Sequence, residues 1–464
     1  MTTLTAWLDA AAPIVDKVAT AVFMPYVVIA LMGTGLFLTI RLGAVQVRRI
    51  REAFRAMVAG QAGSAGGALS PFQAFMMALA ASVGTGNIAG VATAIISGGP
   101  GALFWIWVFG LVAAALKFAE ATLGVRFREI AGDQTRTGPM YYLRDGLKQP
   151  WLAWTYALVA GVAALTTTPF TQPNSIAVVW KSQFDIPTWV TGVIVAVLTW
   201  LVVIGGVKSI GRAAEKLAPL KVGLYLAGGL IVIVSYIHEL PGVLALVFRE
   251  AFAMDSALGF GMFIAIRYGI ARGVYASEAG YGTAAVAYGT AKSDRPSQQG
   301  LQAVMEVFIV CFVTATISAL TILVTGVAMQ SIEAGRAGQE VVTSTAAVAS
   351  AFNAAMPVVG GWIVAFCAFL FGYTTLTGWA FYGEQFLEYI FGKRVIIPYR
   401  WIYCLLIPFG AISRVDLVWA WGDFMNALQV FPNVIGLIGL SGLVAKYAWD
   451  NKTGPQAADR VPQA

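Results

Sequence analysis

Seven consecutive residues, Gly84-Thr85-Gly86-Asn87-Ile88-Ala89-Gly90, break an otherwise apolar stretch that runs from Pro71 to Ser97. Three glycines weaken a helix there, because glycine loses the most backbone entropy on ordering and has no side chain to cover its peptide group. The N–H groups freed around Thr85, Gly86 and Asn87 form a helix N-terminus with partial positive charge, which suits a carboxylate. Gly84 and Gly86 let such a ligand come up against the backbone, and Ser82 and Thr85 add two hydroxyls. The competing reading is that the glycines only permit tight helix packing. In lipid an opened turn is tolerated where its polar groups face protein, a cavity or a ligand. A break of this kind at mid-membrane depth marks the solute site of a secondary transporter.

Two further segments carry polar chemistry in apolar surroundings. Thr166-Thr167-Thr168-Pro169-Phe170-Thr171-Gln172-Pro173-Asn174-Ser175 holds two prolines that free carbonyls; its hydroxyls either face a pocket or bond back to their own helix. Tyr373-Thr374-Thr375-Leu376-Thr377-Gly378-Trp379 sets hydroxyls one turn before a tryptophan, and threonine oxygens can serve a cation or simply a neighbouring helix. Carboxylates inside apolar runs are costly and need partners. Lys117 and Glu120, three apart on one helical face, are expected to pair with each other. Glu306 reads as a brace or a proton relay, Glu278 as a gate or loop brace at the cytoplasmic ends, while Glu384 and Asp423 have no assigned role. Cys311, Cys367 and Cys404 are widely spaced in apolar runs and read as small core residues. The single histidine, His238, sits at a loop edge and offers neither a metal site nor a base for a nucleophile.

The elements that position these residues are membrane helices. The chain is 58% hydrophobic and 11% charged over 464 residues, with a mean hydropathy of +0.75; a soluble domain carries about a quarter charged residues. The composition indicates an all-α integral membrane protein, with no nucleic acid needed to explain its net charge of +7. Apolar segments fall at 22–40, 70–97, 99–125, 151–180, 186–206, 215–237, 242–270, 300–328, 357–391, 396–412 and 414–447, eleven in all. The first lacks a cleavage-site pattern and reads as a retained helix rather than a signal peptide. Pro432 is expected to kink the last. Most of the 30 Lys and Arg, among them Arg48, Arg128, Arg212, Arg267, Arg272, Lys292, Lys393 and Lys446, fall in loops that alternate onto one side. The excess places the N-terminus outside and the C-terminus in the cytoplasm, in a multi-pass protein of the cell membrane. With the first helix peripheral, ten remain, and two groups of five have opposite orientations. The expected organisation is an N-terminal segment 1–69, repeats 70–240 and 241–447, and a tail 448–464. Each repeat then opens on a suspect helix, the second broken at Asp255-Ser256-Ala257-Leu258-Gly259-Phe260-Gly261.

The ordered set of motifs resembles the alanine or glycine:cation symporter family of the amino acid/polyamine/organocation superfamily. It comprises Gly33 to Arg41, Gly84 to Gly90 with Gly98-Gly99-Pro100-Gly101, Gly138-Pro139-Met140-Tyr141-Tyr142, Arg272 to Gly280, Gly378 to Glu384, and Pro432-Asn433, across residues 24 to 445. The resemblance implies a LeuT-type fold, a 5+5 inverted repeat preceded by one extra helix. It also implies symport of a small neutral amino acid, alanine or glycine, with a cation and no other cofactor. The implied substrate pocket joins Ser82, Gly84, Thr85, Gly86 and Asn87 to Phe170, Gln172, Asn174 and Trp379. Gln172 and Asn174 match a family motif, whereas Thr168, Pro169 and Phe170 depart from it, so a related but different amino acid is also open. By fold analogy a sodium ion would sit between the carbonyls of Ala80 and Val83 and the hydroxyls of Thr374 and Thr375.

Lys221 departs from the family, which usually has an apolar residue there. In some proton-coupled relatives within the superfamily a lysine on that helix enters the sodium site. Its three N–H donors can satisfy the oxygens a sodium would use, which would make transport proton-coupled or sodium-independent. The alternative is a lysine that snorkels to the cytoplasmic interface near Arg212. Glu306 stands where the family has an aspartate and joins Lys221 as a candidate coupling residue. An enzyme lacks its catalytic groups here, and a channel would want a continuous polar ring. The expectation is a cation-coupled symporter working by alternating access, with a non-transporting amino acid sensor of the same fold as the other possibility.

Overall fold

A computed structural model describes residues 17, 23–58, 66–131, 134–254, 261–339 and 341–449. The principal helices are α1 (Val28–Arg41), α2 (Pro71–Ser82), α3 (Ala89–Gly98), α4 (Ala102–Arg126), α5 (Pro150–Phe184), α6 (Thr188–Val203), α7 (Gly206–Ser235) and α8 (Leu240–Phe252). They continue as α9 (Met262–Ser277), α10 (Thr283–Gly289), α11 (Pro296–Val324), α12 (Ser344–Ala355), α13 (Val359–Phe391), α14 (Ile396–Ile412), α15 (Val415–Gly439) and α16 (Ser441–Trp449). A short antiparallel hairpin, Glu129–Ala131 with Gln134–Arg136, lies in the loop after α4.

Among the described residues six helices are long and apolar enough to cross a membrane, or up to eight if each bent pair is one span. The bent pairs are α2 with Thr85–Gly98, at 57°, and Leu417–Gly439 with α16, at 61°. The second bend falls at Leu440, while Pro432 lies inside α15. Two shorter apolar helices, Pro25–Arg41 and Thr188–Val203, accompany them.

Central α4 is packed by α1, α9, α10 and α11, and its buried positions run almost without interruption from Val112 to Val125. Small residues at Ala113, Ala114, Ala115, Ala119 and Ala121 let these helices approach. α13 packs against α2, α5, α7 and α12, and α14 against α5 and α6. The start of α2 is fixed by a capping box: Ser70 Oγ accepts from Gln73 N at 3.1 Å and Gln73 Oε1 from Ser70 N at 3.1 Å, with Pro71 at the first helical position.

The expected span 242–270 is corrected. Its ends belong to two helices, α8 and α9, and the break expected at 255–261 lies almost wholly outside the described residues. A second interruption stands further on, between α9 and α10. Glu278, Gly280 and Gly282 all adopt left-handed backbone there, at φ 55°, 90° and 83°, which a helix cannot continue through. Arg272 packs beside Gly90 in α3, whereas Ala291 pairs with Leu69 just before α2. Arg267 and Arg272 therefore lie on the opposite side of this break from Lys292 and Arg295, not in one loop as the basic-residue pattern had them.

Candidate functional site

α2 unwinds after Ser82 into a single 3-10 turn, Thr85–Asn87, before α3 resumes. Gly84 is needed at the entry by close approach: a Cβ there would lie 2.6 Å from Thr375 Oγ1 and 3.1 Å from Gln172 Oε1. Gln172 reaches over from α5, and its Oε1 accepts from both Thr85 N, at 3.0 Å, and Thr85 Oγ1, at 2.9 Å. That oxygen takes both donors that Thr85 offers at the opened turn.

Beside this turn lies a cavity of about 20 Å³, lined by Ser82, Gly84, Gly86, Thr168, Gln172 and Thr375 on one side and by Tyr275, Glu278, Tyr281, Trp379 and Asn426 on the other. Such a volume holds on the order of one water molecule, so an amino acid enters only if side chains withdraw. Tyr275 closes one flank: its hydroxyl bonds Thr171 Oγ1 at 2.9 Å and its ring packs on Trp419. Arg272 lies over the same Trp419 ring and pairs with Asp423 at 3.3 Å.

The oxygens named for a cation converge on Lys221. Its Nζ donates to Val83 O at 2.6 Å, Ala80 O at 2.9 Å and Thr374 Oγ1 at 2.6 Å. The side chain is wholly buried on α7, with the Phe371 ring 5.2 Å away, so it does not snorkel. Thr375 donates to Ala81 O at 2.8 Å and lies beside this cluster without bonding the lysine.

The second break is built from a distance. Glu120 Oε1 on α4 accepts from Gly280 N at 2.9 Å, Gly282 N at 3.1 Å and Asn433 Nδ2 at 2.8 Å. Glu278 Oε1 accepts from Trp379 Nε1 at 2.6 Å and its Oε2 from Thr283 Oγ1 at 2.8 Å. Lys117 does not pair with Glu120; it bonds Glu306 at 2.8 Å, and Tyr288 donates to the other Glu306 oxygen at 3.0 Å. Residue 117 faces α11 while Glu120 turns toward the break, which i,i+3 spacing on α4 alone could not distinguish. Glu384 is held by Arg400 through two bonds of 2.8 and 3.0 Å.

Four expected pocket residues are not among the cavity walls: Thr85 stands beside them, bonded to Gln172, and Asn87, Asn174 and Phe170 stand elsewhere. Asn87 turns away from the cavity: its Nδ2 donates to Ser82 O at 3.0 Å, and its Oδ1 accepts from Thr314 Oγ1 at 3.0 Å, in a π-helical stretch of α11. It fastens the opened turn to α11. Asn174 donates to Ser413 O at 2.7 Å and Gly410 O at 3.3 Å, anchoring α5 to the end of α14. The Phe170 backbone packs on Gly410, and its ring is not among the cavity walls. Tyr275, Glu278, Tyr281 and Asn426 line the cavity and were missed as pocket residues. The signal was present in Gly280 and Gly282, two glycines flanking Tyr281 as Gly84 and Gly86 flank Thr85.

Helices with apolar exteriors, two interrupted segments meeting at a small buried cavity, and polar side chains converging on both define a membrane transporter of the helical-bundle class. The sodium:alanine symporter family matches residues 8–460, and the chain belongs to that family. It is 37% identical over 437 residues to the sodium/alanine symporter AgcS of Methanococcus maripaludis, covering 93% of this chain and 95% of the relative. It is 34% identical to the putative sodium/proton-dependent alanine carrier protein YrbD of Bacillus subtilis, over 89% and 87% of the two chains. Among solved structures it is similar in fold to a manganese transporter of Eremococcus coleocola, with a TM-score of 0.55, 15% identity and 79% of each chain covered.

Proposed function

We propose that the chain carries a small neutral amino acid, alanine or glycine, together with a cation by alternating access. The observation that carries this reading is the opened turn at Thr85, whose N–H and hydroxyl both point at one acceptor oxygen beside the cavity. A carboxylate displacing the Gln172 oxygen would find two donors and a helix N-terminus already oriented. Membership of the family and the likeness to the sodium/alanine symporter of Methanococcus maripaludis support the substrate class. Eleven crossings in a LeuT-type arrangement, with the N-terminus outside, fit the same reading. The two short apolar helices and the interrupted pair α9–α10 add to the eight spans already apparent. The division into repeats 70–240 and 241–447 would then place one of the two cavity-side breaks in each.

A second reading concerns the cation and rests on Lys221. Its ammonium bonds three of the oxygens that would otherwise coordinate sodium, and both cannot occupy one site. On this reading Lys221 gains and loses a proton through the cycle in place of sodium exchange, a role that buried lysines can take. Uptake of labelled alanine into proteoliposomes tests both. Accumulation driven by an inward proton gradient in sodium-free medium, lost in Lys221→Met, supports the lysine; strict sodium dependence removes it. Binding without flux would mark a sensor, and passive flux a channel.

A further inference from the structure

Among the described residues lining the cavity, Glu278 is the only carboxylate or cationic side chain, and 4% of its surface is exposed. Among the described residues no cation stands within ion-pair distance of it. Lys117 is committed to Glu306, and Lys221 to Ala80, Val83 and Thr374. Each carboxylate oxygen receives one donor, from Trp379 and from Thr283, so about half of its accepting capacity is unused. The surrounding buried groups do not balance. Glu120, Glu278 and Glu306 face Lys117 and Lys221, one negative charge in excess when all are ionised, while Arg272–Asp423 and Arg400–Glu384 pair among themselves. An isolated carboxylate in such a place is expensive unless a positive charge joins it.

We propose that Glu278 receives the α-ammonium of the transported amino acid, while its carboxylate takes the place of Gln172 Oε1 at Thr85. The assignment rests on the amino acid transport reading and names the second pole of the same site. The two poles belong to the two interrupted helices: Thr85 lies in the opened turn after α2, and Glu278 is the first left-handed residue after α9. One zwitterion would therefore tie both breaks together, which an uncharged or singly charged analogue cannot do. Trp379, on α13, donates to the carboxylate and fixes its orientation.

The test is binding and proteoliposome uptake of L-alanine, with lactate as the probe that keeps the carboxylate and lacks the ammonium, in wild type, Glu278→Gln and Glu278→Asp. Thermal unfolding of each variant in detergent reports folding. Wild type is expected to prefer alanine to lactate. Glu278→Gln is expected to weaken alanine binding roughly ten- to a hundredfold, the scale of a lost charged hydrogen bond, and to level the two ligands. Glu278→Asp, which keeps the charge, retains the preference at lower affinity even if uptake is slowed. Glu278→Gln that binds alanine as wild type does overturns the assignment alone, as does a variant altered only in the pH dependence of uptake. Wild-type protein that neither binds nor takes up any amino acid overturns the transport reading and this assignment with it.

Discussion

At the scale of single residues, the buried charges behave as pieces of one framework. Lys117 and Glu306 are each about 1% exposed and bonded at 2.8 Å, with Tyr288 satisfying the second Glu306 oxygen. Removing one partner leaves the other charge uncompensated in a place water does not reach. Lys117→Met is therefore expected to destabilise the protein by about 3–5 kcal/mol. The double variant Lys117→Met, Glu306→Met removes both charges and should recover much of that loss, because replacing a buried ion pair by apolar groups is often close to neutral. Thermal unfolding in detergent checks both, and a double variant no better than the single would contradict this account. That Glu306 needs a partner was legible from its place in an apolar run; which partner it takes was not. Sequence spacing puts Lys117 beside Glu120 on α4, and only the packing of α11 on α4 shows which carboxylate faces the lysine.

At the scale of elements, the first interruption was read from the chain and the second, marked only by Gly280 and Gly282, was passed over, for a physical reason. Gly84, Gly86 and Gly90 weaken their own helix locally, so composition alone marks the place. The second depends on Glu120, whose oxygen accepts the N–H groups of Gly280 and Gly282 from more than 150 residues away in sequence. Hydropathy pointed instead to Asp255–Gly261, since a short polar run inside apolar sequence resembles a break. Glu120→Ala would strand the two glycine N–H groups, while Asn433 Nδ2 would keep Gly280 O, and each buried unsatisfied donor costs on the order of 1–3 kcal/mol. The expected outcome is faster amide hydrogen exchange confined to 278–282 and a reduced rate of alanine uptake. Glu120→Gln, which still offers an oxygen, should fall between wild type and Glu120→Ala. Uniformly faster exchange across α4 would instead mean that Glu120 supports the core rather than the break.

At the scale of the whole molecule, orientation follows from the basic residues, and the second interruption changes how they are counted. With α9 and α10 on opposite sides of their break, Arg267 and Arg272 leave the group that contains Lys292 and Arg295. Arg272 is then accounted for by its bond to Asp423 and its place over Trp419. It is a partnered residue of the bundle, and partnered interior charges carry no topological signal. On the proposed orientation, loops such as Lys393–Arg394, exposed after α13, keep the bias and would put that end in the cytoplasm. His238, exposed between α7 and α8, falls on the other side if α9–α10, α11 and α13 are each one crossing. The three native cysteines are buried, so they present little background to a membrane-impermeant thiol reagent. His238→Cys is expected to label in intact cells, and Lys393→Cys only after the membrane is opened. Labelling of both from outside would mean an even number of crossings between them. An even number would mean that α9–α10, α11 or α13 is not a full crossing, and the second repeat could not mirror the first as proposed.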